Sequence, residues 1–156
     1  MSERPKTAVR IVDYAPPARL GELADLWVAS WAKTLPAIDF EARRPWFLDH
    51  IAGLATAGAA IRLAITDDGR AAGFVTVDPA TAYLDQICVG VAWWGGGVAD
   101  ALLAEARRLS PARLVLDVNK DNPRAVAFYE RNGFRRIAEG VNPRSGLGTL
   151  KLEWTA

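Results

Sequence analysis

The feature that most constrains this chain is the run Gly95-Gly96-Gly97, set between a β-rich segment and a segment of helically spaced apolar residues. Three successive glycines propagate neither element well, so they mark a sharp strand-to-helix turn. A helix started there points its first free N–H groups, and the positive end of its dipole, at whatever fills the loop. The absence of side chains lets a ligand approach the backbone closely. The run therefore predicts an anion-binding loop, with phosphate as its natural ligand. No lysine followed by Ser or Thr comes after the glycines, against a P-loop. The glycines also follow four predicted strands rather than one, against a Rossmann dinucleotide site.

Periodicity organises the rest. Residues 8–14 read as an opening strand closed by Pro16-Pro17. Leu20, Leu23, Ala24, Trp27, Val28 and Trp31 recur every three or four positions, one face of an amphipathic helix that Pro36 ends. Residues 40–56 read as a second helix with Pro45 near its start. Residues 60–66 and 71–77 flank Asp67-Asp68-Gly69, a hairpin signal, and residues 82–91 form a third strand of this group. After the glycines, Val98, Leu102, Leu103, Ala106 and Leu109 lie at helical spacing up to Pro111. Residues 114–119 are β-rich. Asp121-Asn122-Pro123 starts a helix that Asn132-Gly133 stops. Residues 134–139 and 147–154 close the chain as strands. The order β-α-α-β-β-β-α-β-α-β-β predicts an α/β (α+β) fold. A mixed sheet of six to seven strands with about four flanking helices is expected, with residues 1–156 as one domain.

Composition removes several function classes. The formal net charge is +1, so no basic field favours nucleic acid or an anionic membrane. Cys88 and His50 are the only residues of their kinds, which excludes an internal disulfide and a multi-histidine metal site. Residues 1–7 are polar and lack the apolar core of a signal peptide, and no apolar stretch has bilayer-spanning length. A cytoplasmic protein without a metal is expected.

The run from Leu84 to Leu103, with Trp94 to Ala99 at the strand-to-helix junction, resembles the acetyl-CoA site of the GNAT (Gcn5-related) N-acetyltransferases, whose pattern is Gln/Arg-x-x-Gly-x-Gly/Ala. The segment from Asn119 to Phe134 is similar to the family's second signature, Asn-x-x-Ala-x-x-Phe-Tyr-x-x-x-Gly-Phe. Order and spacing also agree, so the resemblance covers essentially the whole chain. It implies the GNAT fold and an enzyme that uses acetyl-CoA to acetylate a primary amine of a small molecule, amino acid or peptide. In that reading Trp94, Gly95, Gly96, Gly97, Val98, Ala99 and Asp100 form the cofactor loop, and Asn122 hydrogen-bonds the cofactor. Backbone groups of Val89 and Val91 pair with the pantetheine arm as an added strand, and Tyr129 sits beside the thioester sulfur. Of the adjacent pair, Phe128 is the core candidate and Tyr129 the pocket one, since a helix does not bury successive residues equally. The chain departs from the pattern at Trp94, where Gln or Arg is usual, at Gly96, where a basic residue is frequent, and at Asp100, where Ser or Thr is common. Lys120, Arg124 or Arg131 is then needed to supply charge, or binding is weak or the cofactor unusual. A catalytically weak or inactive CoA-binding scaffold of the same fold is the alternative.

Amine acetylation needs an uncharged nucleophile, oxyanion stabilisation and a proton for the leaving thiolate. Asp85 is the candidate base, acting directly or through a water, with neighbouring Gln86 expected on the opposite face. Tyr129 is the candidate acid, and a backbone N–H near Val89 the oxyanion donor. Cys88 is expected to be a buried apolar residue rather than a nucleophile. The acceptor site is expected from Trp27, Ser30, Trp31, Leu35, Asp39, Phe40, Trp46 and His50, opposite Asn142, Arg144 and Ser145. Within it Asp39 suits an ammonium and Arg144 a carboxylate, two different acceptors. The closing strand, residues 147–154, is a candidate for pairing across a homodimer.

Overall fold

The computed structural model describes residues 5–156, so the first four of the polar opening residues lie outside it. In chain order the elements are β1 (Val9–Asp13), α1 (Leu20–Thr34), α2 (Arg44–Thr56), β2 (Ala60–Thr66), β3 (Ala71–Asp78), β4 (Tyr83–Val89), α3 (Val98–Leu109), β5 (Arg113–Asn119), α4 (Pro123–Arg131), β6 (Arg135–Val141) and β7 (Gly148–Thr155). This is the expected order. Several ends shifted by a residue or two, and two boundaries moved for identifiable local reasons. The expected helix over 40–56 opens as a separate 3₁₀ turn, Glu41–Arg43, because Pro45 fits the first turn of α2 and not its interior. The expected strand over 82–91 stops at Val89, and Val91–Trp93 form a second 3₁₀ turn.

The strands form one sheet in the order β1-β2-β3-β4-β5-β7-β6. All neighbours run antiparallel except β4 and β5, whose parallel pairing is confined to Tyr83 opposite Val115. Beyond that pair the two strands diverge. Strand β7 is paired on both sides, by β5 over its whole length and by β6. It therefore has no free edge to offer a second subunit, contrary to the expectation for residues 147–154. The outer edges belong to β1 and β6.

Helices cover both faces. On one face α1 and α2 bury Leu23, Trp27, Phe47 and Ile51 against Ile61, Leu63, Ile65 and Phe74. On the other, α3 and α4 bury Leu102, Leu103, Val126 and Tyr129 against Val75, Leu84, Leu116 and Leu152. Strand β3 is buried through nearly its whole length, and its mostly apolar sequence, broken inside by Thr76, suits a strand covered on both faces. Gly73 is the point of closest approach: a Cβ there would lie 2.5 Å from the Cys88 carbonyl and 3.1 Å from Leu102 of α3. Among the described residues no helix is long and apolar enough to cross a membrane.

Candidate active site

The divergence of β4 from β5 opens a cleft of about 890 Å³ in the middle of the sheet. Strand β4 lines it along its length, as do residues 116–119 of β5, the first turn of α3, α4 through to Arg131, and parts of α1 and α2. Gly90 N–H donates to Ala72 O at 2.8 Å, which makes Gly73 opposite Val89 a non-hydrogen-bonded pair. By the alternation of an antiparallel ladder, the N–H and carbonyl groups of Val89 and Ile87 then point away from β3, into the cleft.

The glycine turn sits at one end. Gly95 and Gly97 have φ of 81° and 85°, the left-handed region that the run was expected to supply. No side chain caps the N-terminus of α3, so the N–H groups of Val98, Ala99 and Asp100 are left for a ligand. Val98, Ala99 and Asp100 line the cleft with Gly95 and Gly97, whereas Gly96 does not. Gly96 is buried under Thr7, which takes its carbonyl at 2.8 Å and whose hydroxyl leaves no room for a Cβ. Gly96 thus shapes the loop from behind. Val91, in its 3₁₀ turn, is also absent from the cleft wall, so of the two backbone candidates only Val89 is placed to pair with an extended ligand.

Trp94, the departure from the family pattern, has a defined task. Its indole N–H donates to the Val89 carbonyl at 2.8 Å, and the Arg124 guanidinium lies 4.1 Å from its ring centre, with Lys33 at 5.6 Å. Burial lowers the pKa of Arg124 from its ordinary value. Arg124 is one of four arginines on the cleft wall, with Arg43, Arg131 and Arg144. Each has its guanidinium over an aromatic ring of the same wall: Arg43 5.3 Å from the Phe40 ring centre, Arg131 5.8 Å from that of Phe128 and Arg144 3.9 Å from that of Trp46. Among the described residues none of the four has a carboxylate partner. The ion-paired arginines, Arg44, Arg62 and Arg113 among them, lie outside the cleft. Lys120 is not on this wall; it pairs with Glu139 at 3.1 Å.

Asn122 both lines the cleft and caps α4, accepting the Ala125 N–H at 3.2 Å through Oδ1. Its amide N–H groups remain for a ligand. Tyr129 lines the cleft as expected, yet it is the more buried of the adjacent pair, at 7% exposure, with Phe128 only half-buried. The expected division, Phe128 to the core, is reversed because α4 turns Tyr129 toward Phe134 and the sheet. Burial pushes the Tyr129 phenol above its ordinary range.

Asp85 is held by two features that sequence reasoning missed. Thr76 pairs with Gln86 and Val77 with Leu84, so Asp85 is the extra residue of a β-bulge. The bulge breaks strict alternation, and Asp85 and Gln86 both line the cleft, contrary to the expected opposite faces. The Gln86 N–H is received by the buried Thr76 hydroxyl at 3.1 Å. Asp85 Oδ2 then lies 2.7 Å from His50 Nε2, and His50 stacks on Trp46 at 4.6 Å. The available signal was Trp46 and His50 four residues apart on one helix face, beside the chain's only histidine.

Every acceptor candidate but one lines the cleft, Trp31, His50 and Arg144 among them. Asp39 does not: it is exposed and accepts the Ala42 N–H at 3.2 Å, capping the 3₁₀ turn. Trp27 is core, at 4% exposure. Cys88 is buried against Ser30 at 3.4 Å, and burial raises its thiol to about 12, which removes it as a nucleophile near neutral pH.

The model of the acetyltransferase (GNAT) family matches residues 20–134. A mycothiol acetyltransferase of Salinispora tropica is 33% identical over 153 residues, covering 82% of this chain; the chain spans about half the length of that relative, 46% of it. Among solved structures, the apo form of YjaB from Escherichia coli superposes with a TM-score of 0.76 at 22% identity, over 94% of this chain and 97% of that one. The PaiA N-acetyltransferase of Thermoplasma acidophilum, in complex with coenzyme A, superposes with a TM-score of 0.77 at 16% identity, over 96% and 99%. A splayed β4–β5 pair, an uncapped glycine turn and a family match across both signatures lead to one assignment: the chain belongs to the acetyltransferase (GNAT) family, a family of acetyl-CoA-dependent N-acetyltransferases.

Proposed function

We propose that this chain acetylates a primary amine of a small molecule, amino acid or peptide by direct attack of the amine on the thioester of acetyl-CoA. The observation that carries the proposal is the His50–Asp85 pair, 2.7 Å apart, on the wall of the cleft that also holds the uncapped start of α3 and Tyr129. The name of the Salinispora relative supports acetyl transfer without carrying its acceptor to this chain.

The residues present fit a ligand with a pyrophosphate and an extended amide-bearing arm. Val98, Ala99 and Asp100 N–H groups would hold phosphate, and Arg124 and Arg131 would supply the charge that the loop lacks. Val89 and the Asn122 amide would hold the arm. When bound, acetyl-CoA supplies an activated acetyl carbon and a thiol leaving group. With Nε2–H donated to the Asp85 carboxylate, His50 Nδ1 is left as an acceptor. An alkyl ammonium has a pKa of about 10.4, so its proton must be removed before attack. His50 receives that proton, and Asp85 positions the ring and stabilises the imidazolium. Tyr129 holds its proton through the neutral range and delivers it to the departing sulfur.

The test is thiol release across a panel of amines. His50→Gln is expected to lower kcat by about a hundredfold or more. Asp85→Asn is expected to cost less, and Tyr129→Phe to slow the reaction. An unchanged kcat in His50→Gln removes it as the base. The second reading, a weak or inactive CoA-binding scaffold, is favoured by the Trp94 indole on the Val89 carbonyl and the negative Asp100 on the wall. It predicts calorimetric binding of CoA with no thiol release for any amine. Absence of CoA binding at millimolar concentration defeats both.

A further inference from the structure

Resting on the acetyl-transfer reading, the structure goes on to say which amines fit. The four unpaired arginines of the cleft divide into two groups. Arg124 and Arg131 belong to the two ends of α4, and Arg124 lies over Trp94 at the glycine turn, where an acyl donor's phosphates need charge. Arg43 and Arg144 lie at the other end. Arg144 rests 3.9 Å from the centre of the Trp46 ring, and His50 stacks on the same ring at 4.6 Å and an interplanar angle of 17°. A proton acceptor and a cation are thus both held against one rigid ring.

Neither guanidinium has a carboxylate among the described residues, while seven arginines outside the cleft are ion-paired. A guanidinium presents its N–H groups along edges in its own plane. Such an edge matches the planar, bidentate geometry of a carboxylate better than the tetrahedral face of a phosphate. Asp39, the acidic residue that would have favoured a second ammonium, is turned outward as a cap. We infer that the acceptor is an amino-carboxylate, a small molecule whose amine meets His50 while its carboxylate meets Arg144, with Arg43 adding charge at that end.

The experiment compares glycine, β-alanine and γ-aminobutyrate with their carboxamides, and with phosphoethanolamine, by thiol release from acetyl-CoA. At least one carboxylate is expected to exceed its carboxamide tenfold in kcat/KM. Arg144→Gln should abolish that preference through the KM of the acceptor, with the KM of acetyl-CoA unmoved, and Arg144→Lys should restore part of it. Equal use of carboxamides, preference for phosphoethanolamine, or an equal loss on charged and neutral acceptors in Arg144→Gln overturns the inference. The same ligands are titrated by tryptophan fluorescence in the presence of CoA. If no amine releases thiol, the acetyl-transfer reading fails, and the titration still decides this one. A tenfold binding preference for carboxylate that Arg144→Gln removes supports it, and equal binding overturns it.

Discussion

Single residues set the chemistry of this cleft through where their polar atoms are already engaged. Trp94 holds the Val89 carbonyl and offers its ring to Arg124, so a residue that stands where a polar side chain is usual delivers the cation from a neighbouring helix instead. Arg124→Gln is expected to weaken CoA binding about tenfold, or about 1.4 kcal/mol, and to flatten its salt dependence. Calorimetric titration at two salt concentrations reads both, and an unchanged Kd would show that the backbone donors suffice. The departure at Trp94 was legible from the sequence; its consequence was not, because the indole's partner depends on the path of the loop. The same holds for His50, whose link to Asp85 spans 35 residues and two elements. Asp39 illustrates the converse. A short carboxylate three residues before a backbone N–H satisfies that group first, and a plausible ligand-binding charge becomes a cap.

At the scale of elements, nearly every strand and helix was legible, since apolar period and the Gly, Pro and Asn punctuation agree along the chain. The bulge at Asp85 was not. It arises from how β4 registers against β3, a relation between segments that no local pattern carries. Its support is specific: the Thr76 hydroxyl, fully buried, receives the Gln86 N–H. Thr76→Val keeps the shape and removes the acceptor, so it is expected to cost about 1–3 kcal/mol of stability. The urea midpoint should fall accordingly, and kcat/KM should fall with it, because Asp85 loses its fixed direction. A variant as stable as the parent would mean that the N–H finds another partner. The interior place of β7 was equally hidden, because strand order is decided by the whole sheet.

The molecule as a whole carries its tyrosines in places that disfavour ionisation. Tyr14, Tyr83 and Tyr129 all have raised phenol pKa values, with burial the largest cause in each; Tyr83 also donates to the Asp117 carboxylate at 2.7 Å. A pKa raised in the fold means that the unfolded chain loses its protons first. The neutral phenols therefore cost the fold nothing below about pH 10, and stability declines as pH rises from there toward the folded values. Absorbance of phenolate is expected to lag the ordinary titration and then to rise together with loss of near-UV circular dichroism. Independent early ionisation of the three would contradict the burial described.

The divergence of β4 and β5 gives this sheet four edges in place of two. The outer pair, β1 and β6, is ordinary, and β6 is exposed along its length and rich in charge, a common guard against unwanted pairing. The inner pair looks into the cleft, and there an unsatisfied row of amides is a standing demand for a partner. Amide exchange makes that demand visible: the N–H groups of Ile87 and Val89 should exchange fast in the free protein, while their ladder-bonded neighbours Cys88 and Gly90 are protected. Any ligand that supplies an extended amide-bearing arm becomes, for as long as it stays, the strand this sheet was built without.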